Sequence, residues 1–413
     1  PRSAGRRPPS LRSSLNMSGG SASAAPFVRL GEAGKWEIQP EGAQLLQRIE
    51  APIVVVAVAG LYRTGKSFFL NTLAGNTAAR AKAGFRVGST TESCTRGIDV
   101  CVPDGDAGQC RRGSLVLLDT EGLASMEQDE AYDAQVFALS LLLSSYFVLN
   151  SMGVIDEAAV DRLYLIGELS KHISVSAAAA EGPAGGGGVA AELASFFPPF
   201  LWLLRDFVVD MRDADGQPLA PDAYMERALE PRPSTARRAA ERNETRAAIR
   251  DLFPSRSCVT LVRPAAEEAD VRRAIGLEAS QLRPQFVEGM SALKQRILGT
   301  APPKALLGEP LDGSMLVALA RQYTAAMNTE GVVPSIRGAW ESVVEERCRA
   351  AADGALAAAR RRLADVASST PPPDAGEWAD GACAAIVAGL EEFDARAVGG
   401  AAAAAARTEL QSD

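Results

Sequence analysis

The sequence predicts an α/β fold: a mainly parallel central sheet flanked by helices, followed by an α-helical segment. Three observations predict it. Between residues 26 and 308, apolar strand-like runs alternate with helical patterns. Within that stretch a β-branched run, Ile53–Val58, feeds directly into a glycine-containing loop, and a helical pattern, Ser67–Leu73, follows. From about residue 309 onward, Ala, Leu, Glu and Arg recur with apolar residues at helical spacing.

The elements follow in chain order. Residues 1–31 hold Arg2, Arg6, Arg7, Arg12 and Arg29, many serines and no acid. That composition resembles an organelle transit peptide and suits a disordered tail equally well, so residues 1–25 are expected to be a disordered or targeting tail. The strand candidates are Ile53–Ala59, Ile98–Val102, Leu115–Leu118, Phe200–Leu204 and Val259–Val262. The helix candidates are Lys66–Leu73, Asp133–Leu143, Ala158–Ile173 and Arg237–Leu252. Ser174–Ala191, a run of Ala, Gly and Ser around Gly185–Gly188, reads as a flexible surface loop. Met315–Met327, Ser335–Arg361 and Trp378–Arg396 read as helices, with a break at Pro371–Pro373. Residues 26–308 thus form one expected domain, and 309–413 the start of a helical middle domain, with truncation left open.

Composition narrows the function. The chain has 413 residues, 47% hydrophobic and 23% charged, enough to bury a sizeable core. Acids outnumber bases 51 to 43, which argues against a generally basic nucleic-acid binder. The single histidine, His172, disfavours His-based metal sites and Ser-His-Asp triads; a capping or solvated role suits it. The six cysteines form no CxxC pair and read as free thiols in a reducing compartment, Cys101 and Cys110 included. No apolar run reaches the ~18 residues of a membrane span. Arg237–Arg250 mixes Arg and Glu, which suits an exposed helix face with i,i+4 pairs.

The strongest motif is Gly60-Leu61-Tyr62-Arg63-Thr64-Gly65-Lys66-Ser67, which fits G-x-x-x-x-G-K-[ST] in the required strand–loop–helix setting. Gly60 and Gly65 let backbone N–H groups converge on phosphate oxygens, and the following helix adds its positive end. Lys66 should reach the β- and γ-phosphates, and Ser67 should ligate Mg²⁺. Leu115–Leu118 then leads into Asp119-Thr120-Glu121-Gly122. Asp119 can hold Mg²⁺ through water, and Gly122 lets the backbone approach the γ-phosphate. The pairing predicts a P-loop NTPase with a G domain.

The guanine-reading N-K-x-D motif is absent. Trp202-Leu203-Leu204-Arg205-Asp206 stands at the end of an apolar strand instead. Asp206 there can accept from guanine N1–H and N2–H₂, whereas adenine lacks that donor pair.

With these residues the sequence resembles the guanylate-binding protein family of large GTPases, in the dynamin superfamily. The matches are Gly60–Ser67, Ser93–Ile98, Leu115–Gly122, Leu142–Gly153, Phe196–Asp206 and Phe253–Pro264. The more distant atlastin and root-hair-defective GTPases share the Arg-Asp pair, but the Leu-Tyr-Arg-Thr loop favours the guanylate-binding branch. The resemblance implies that Thr95 ligates Mg²⁺ and closes over the γ-phosphate. It implies that Ser93 and Glu121 organise the attacking water and that Arg63 is an internal arginine finger. It also implies that Arg205 and Asp206 read guanine. The expected nucleotide-binding set is Gly60, Tyr62, Arg63, Thr64, Gly65, Lys66, Ser67, Phe68, Asp119, Gly122, Arg205 and Asp206. The expected catalytic set is Arg63, Lys66, Ser93 and Glu121. Leu203 stands where the family usually has Thr, and Cys94 where it often has His.

The implied activity is Mg²⁺-dependent hydrolysis of GTP to GDP, or onward to GMP, activated by G-domain homodimerisation. No nucleic-acid partner and no transmembrane segment are expected. A cytoplasmic location, free or peripheral to membranes, is implied, with organelle targeting left open. A nucleotide-gated scaffold with negligible turnover and an atlastin-like membrane-remodelling GTPase are the alternatives.

Overall fold

The computed structural model describes residues 23–75, 84–87, 95–103, 108–123, 130–166, 169, 173–175, 192–213, 215–233, 237–272, 274, 277–330, 332–369 and 373–412. At its centre lies Ile53–Ala59 (β3), fully buried along its length. A parallel strand covered on both faces needs no polar side, hence its unbroken apolar run. β3 pairs in parallel with Gly113–Thr120 (β6) on one side and Tyr146–Met152 (β7) on the other. Phe200–Arg205 (β8) and Arg256–Thr260 (β9) continue the parallel sheet beyond β7. Beyond β6 the pairing turns antiparallel, through Ile98–Val102 (β4), Ser23–Leu30 (β1) and Trp36–Ile38 (β2). A short strand, Gln109–Cys110 (β5), also pairs with β6. The strand order is β2-β1-β4-β6-β3-β7-β8-β9.

Alternate residues of β3 feed two cores, as the period of a strand requires. Ile53, Val55, Ala57 and Ala59 face one; Val54, Val56 and Val58 face the other. Lys66–Leu73 (α2) covers the second face with Phe69, Leu70 and Leu73. Pro284–Thr300 (α8) covers it too, with Phe286, Met290, Leu293 and Ile297 at helical spacing. Glu130–Leu143 (α3) lies on the first face, and Pro40–Leu46 (α1) joins it there through Ala43 and Leu46. Further helices of this part are Glu157–Asp161 (α4), Pro221–Ala228 (α5), Arg237–Leu252 (α6) and Glu268–Arg272 (α7).

The helical segment consists of Gly313–Met327 (α9), Ile336–Ala367 (α10), Ala375–Arg396 (α11) and Ala401–Ser412 (α12). Side-chain caps start three of them: Asp312 accepts from Met315 N–H, Ser335 from Gly338 N–H and Asp374 from Glu377 N–H. The first-face core runs unbroken into Met315, Leu316, Leu319, Tyr323 and Trp340. The helical segment is therefore packed on the sheet domain rather than tethered to it.

Several elements differ from the sequence reading. β1 begins at Ser23, inside the stretch assigned to a tail, because its residues pair with β4. β7 was absent from the strand candidates: Ser144 and Ser145 divide what reads as one apolar run into the end of α3 and a strand. β9 starts at Arg256 rather than Val259, since Arg256 and Ser257 pair with Phe200 and Leu201 of β8, and Glu226 receives the Arg256 guanidinium at 2.7 Å. The Ala158–Ile173 helix is interrupted by a turn at Arg162–Leu163. α6 is also not simply an exposed face of i,i+4 pairs. Arg246 is 1% exposed and pairs with Glu157 of α4 at 2.6 Å, and Arg242 reaches Asp161 at 2.5 Å. His172 and residues 176–191 of the Gly-rich run lie outside the described residues.

Candidate functional site

The strand-to-helix loop after β3 is held from every side. Gly60 has φ 151°, and a Cβ there would fall 2.0 Å from the Asn150 carbonyl oxygen. Only glycine allows the loop to leave β3 that close to β7. The Leu123 N–H donates to the Gly60 carbonyl at 3.1 Å, and the Tyr62 N–H to the Leu123 carbonyl at 3.2 Å. Asn150 Nδ2 donates to the Thr64 carbonyl at 2.9 Å, and Thr64 Oγ1 to the Leu61 carbonyl at 2.8 Å. Gly122 sits against Tyr62 so closely that a Cβ would lie 2.3 Å from the Tyr62 Cα. The loops after β3 and β6 thus form one backbone assembly.

Lys66 opens α2 and folds back over the loop. Its Nζ donates to the Gly60 and Leu61 carbonyls at 3.2 and 3.1 Å. Burial pushes its pKa down, while the charges of Asp119, Glu121 and Asp133 pull it up. Ser67, one residue on, donates to Asp119 Oδ2 at 2.6 Å, and Thr95 Oγ1 donates to the same oxygen at 3.1 Å. Asp119 is fully buried, and its Oδ1 has no hydrogen-bond partner. Burial raises its pKa to about 6, with Lys66 opposing.

These groups fit a magnesium ion. Two hydroxyls and a carboxylate form an all-oxygen donor set, the type a hard divalent cation takes. The orphaned Asp119 Oδ1 is a buried acceptor that an ion or its water would satisfy.

Glu121 is 2% exposed, and its Oε2 accepts the Gly97 N–H at 3.0 Å and the Tyr132 hydroxyl. Arg63 lies at the exposed tip of the loop at φ 61°, its guanidinium 5.3 Å from the centre of the Tyr62 ring. Ser93 and Cys94 lie outside the described residues.

The end of β8 borders the same loop. The Arg205 guanidinium lies 5.9 Å from the centres of both the Phe68 and Phe286 rings, and Nη1 donates to the Gly65 carbonyl at 3.4 Å. Burial lowers the Arg205 pKa to about 10, with Asp206 opposing. Asp206 follows at φ 52°, which turns its carboxylate out of the strand line, 3.9 Å from Arg263 Nε. Leu203, by contrast, is fully buried in the second-face core.

A guanylate-binding protein N-terminal domain model matches residues 33–306. The chain belongs to the guanylate-binding protein family. It is 37% identical to guanylate-binding protein 2 of Homo sapiens over 327 residues, covering 78% of this chain and 53% of that protein. Guanylate-binding protein 1 of Homo sapiens is 37% identical over 328 residues with the same coverage. Guanylate-binding protein 2 of Mus musculus is 37% identical over 306 residues, 73% of this chain and 49% of its own length. The chain spans about half the length of the curated relatives it matches.

Within this guanylate-binding protein family member, the structure gathers Ser67, Thr95 and Asp119 at one point, lays Lys66 back on the Gly60 and Leu61 carbonyls and sets Arg205 beside Gly65. Sequence reasoning missed Asn150, Phe286 and Tyr132. Asn150 left a signal, a lone amide in an otherwise apolar run. Phe286 and Tyr132 left none, because each reads as an ordinary core aromatic.

Proposed function

We propose that this chain binds GTP and hydrolyses it to GDP with Mg²⁺. The observation that carries the reading is the convergence of Ser67 and Thr95 on the buried Asp119 carboxylate, beside a glycine-flanked loop over which Lys66 folds back. The family relatives are named for binding guanylate, and the Arg205–Asp206 turn supplies the matching carboxylate.

In this reading the backbone N–H groups of Gly60–Ser67 and the start of α2 cradle the phosphates. Lys66 shifts from its loop carbonyls to the β/γ-phosphate oxygens and offsets charge that develops during transfer. Ser67, Thr95 and, through water, Asp119 would hold the ion, and Mg²⁺ would supply neutralisation of phosphate charge. Ser93 and Glu121 orient a water in line with the γ-phosphate. Arg63 swings from the Tyr62 ring to the transferring group as a finger in cis, ordered by head-to-head pairing of two G domains. Asp206 accepts from guanine N1–H and N2–H₂. The protein acts in a reducing, cytoplasmic setting, consistent with free thiols at Cys110, Cys258, Cys348 and Cys383. Among the described residues, no helix is long and apolar enough to cross a membrane.

The test is steady-state hydrolysis of GTP and ATP with Mg²⁺ at several protein concentrations, with GDP and GMP resolved. GTP-selective turnover that rises per molecule with concentration is expected. Flat turnover per molecule would remove dimer activation. Tight GTP binding without turnover would move the assignment to a nucleotide-gated scaffold.

A further inference from the structure

Glu121 is held by partners that the catalytic reading does not use. Its backbone N–H donates to the Gly97 carbonyl at 2.8 Å. Its Oε2 accepts both the Gly97 N–H at 3.0 Å and the Tyr132 hydroxyl. The Gly97 N–H also lies 3.0 Å from the Tyr132 oxygen, so the three groups close one buried knot. Gly97 stands two residues after Thr95, and Glu121 two after Asp119. The knot therefore ties together the stretch that carries Thr95 and the end of β6 that carries Asp119. Burial and the Glu121 carboxylate push the Tyr132 hydroxyl far above its ordinary pKa, so it remains a donor.

Tyr132 is itself held from the other side. It is 6% exposed, on the first turn of α3. The Trp36 ring stacks on it, centres 5.2 Å apart and planes 24° apart. Trp36 is fixed by its indole N–H to Gln135 Oε1 at 2.8 Å. Its backbone is clasped by Asn328: the Trp36 N–H donates to Oδ1 at 2.6 Å, and Nδ2 donates to the Trp36 carbonyl at 2.8 Å. Asn328 is the C-cap of α9, the first helix of the helical segment. A continuous line of packed and hydrogen-bonded groups thus runs from the helical segment to Glu121.

We propose that Tyr132 is a positioning residue for Glu121, fixing its carboxylate through Oε2 while the Trp36–Asn328 clasp fixes Tyr132 from the helical segment. With Oε2 engaged by two donors, Oε1 is the oxygen that takes a water O–H. The proposal rests on the reading of Glu121 as the residue that organises the attacking water. A hydrogen bond to a charged group inside a dry site holds its geometry more firmly than a solvated rotamer does.

The test is a double-mutant cycle on the full chain, read as single-turnover GTP hydrolysis and as affinity for a non-hydrolysable GTP analogue. Tyr132→Phe keeps the ring and its stack but removes the hydroxyl. Its single-turnover rate is expected to fall about tenfold, with affinity within about twofold of the parent. In a Glu121→Ala background the same substitution should change the rate less than about twofold. Asn328→Ala should lower the rate in the parent in the same direction and leave Glu121→Ala unchanged; it carries the test alone if Tyr132→Phe does not fold. A folded Tyr132→Phe at the parental rate, or an equal fall in both backgrounds, overturns the proposal. Glu121→Ala at the parental rate overturns the water-organising reading and the proposal with it. A slow Glu121→Ala beside a fully active Tyr132→Phe overturns the proposal alone.

Discussion

Ser67 and Asp119 meet across 2.6 Å, joining the second residue of α2 to the penultimate residue of β6. Thr95 adds a second hydroxyl to the same carboxylate oxygen at 3.1 Å. Three separated stretches of chain therefore present oxygen to one point, and burial lifts the Asp119 pKa to about 6. A buried carboxylate with an unpartnered oxygen is costly in isolation. It becomes favourable once a cation or its water occupies that side, so the folded chain holds the donor set ready before any ligand arrives.

Arg63 shares the loop with these groups but stands apart from them, exposed and stacked on Tyr62. An arginine finger acts on the transition state and adds little to ground-state binding. Arg63→Ala is therefore expected to lower kcat by on the order of 10³ while GTP affinity stays within about twofold. Steady-state kinetics beside equilibrium binding separate the two quantities. Parental kcat in the variant would remove Arg63 from the mechanism.

In the proposed reading, Asp206 carries the base preference. Loss of a hydrogen bond to a charged group is worth ~1.5–3 kcal/mol, about 10- to 150-fold. Asp206→Asn should weaken GTP binding by about that factor and leave ATP binding unchanged. Titration calorimetry with both nucleotides checks it; equal GTP and ATP affinity in the parent would sink the guanine assignment.

Gly122 is a steric prediction. An added Cβ meets the Tyr62 Cα at 2.3 Å and its N at 2.7 Å, both backbone atoms that cannot swing aside. Gly122→Ala should cost ~1–3 kcal/mol of stability and weaken nucleotide binding by displacing the phosphate loop. Gly299→Ala, where nothing lies within 4 Å, is the matched control. In α8 it should be neutral or stabilising by up to ~1 kcal/mol. Chemical denaturation of the pair reads the difference.

Lys304 predicts a pH dependence of stability. Its ammonium group donates to the Leu142 and Ser144 carbonyls at 2.6 and 2.8 Å at the end of α3. Burial lowers its pKa from 10.5 to about 7. Between those values the unfolded chain holds a proton that the folded chain has released, so unfolding takes up a proton. Stability therefore rises with pH across that window, and the full desolvation cost is present below it. Relative to Lys304→Met, the parent should gain up to ~1.4 kcal/mol per pH unit between about pH 7.5 and 9.5. A pH-independent difference between the two proteins would show that Lys304 stays charged in the fold.

The elements visible in advance were those whose physics is local. β3 and α2 were read to the residue, because an apolar β-branched run against a glycine loop permits no other local structure. β4 was legible as a short β-branched run. β1 was hidden by a basic, serine-rich neighbourhood, and its identity as a strand depends on pairing with β4, distant in sequence. β7 was hidden because residues 136–150, the end of α3 and most of β7, are buried without a break, and burial on every side erases the difference between periods of 3.6 and 2. The arginines of α6 were read as a solvated face. The charge pattern along one helix cannot show that α4 supplies Glu157 and Asp161 to receive them.

The phosphate loop, its lysine and serine, and the Asp119 strand end were legible from the residues themselves. Backbone geometry there depends on glycines at fixed spacing, and a strand feeding a helix leaves little choice of conformation. The guanine assignment drew on residue order together with a family likeness. The tertiary structure alone decided which groups touch: that Ser67 and Thr95 share one oxygen of Asp119, that Arg205 lies beside the stacked pair Phe68 and Phe286, and that Glu121 is gripped by a tyrosine anchored through Trp36 to the helical segment. Local pattern governs which conformation each stretch takes. Contacts between stretches far apart in sequence are set by how the cores close around them, and short-range propensity carries no record of that closure.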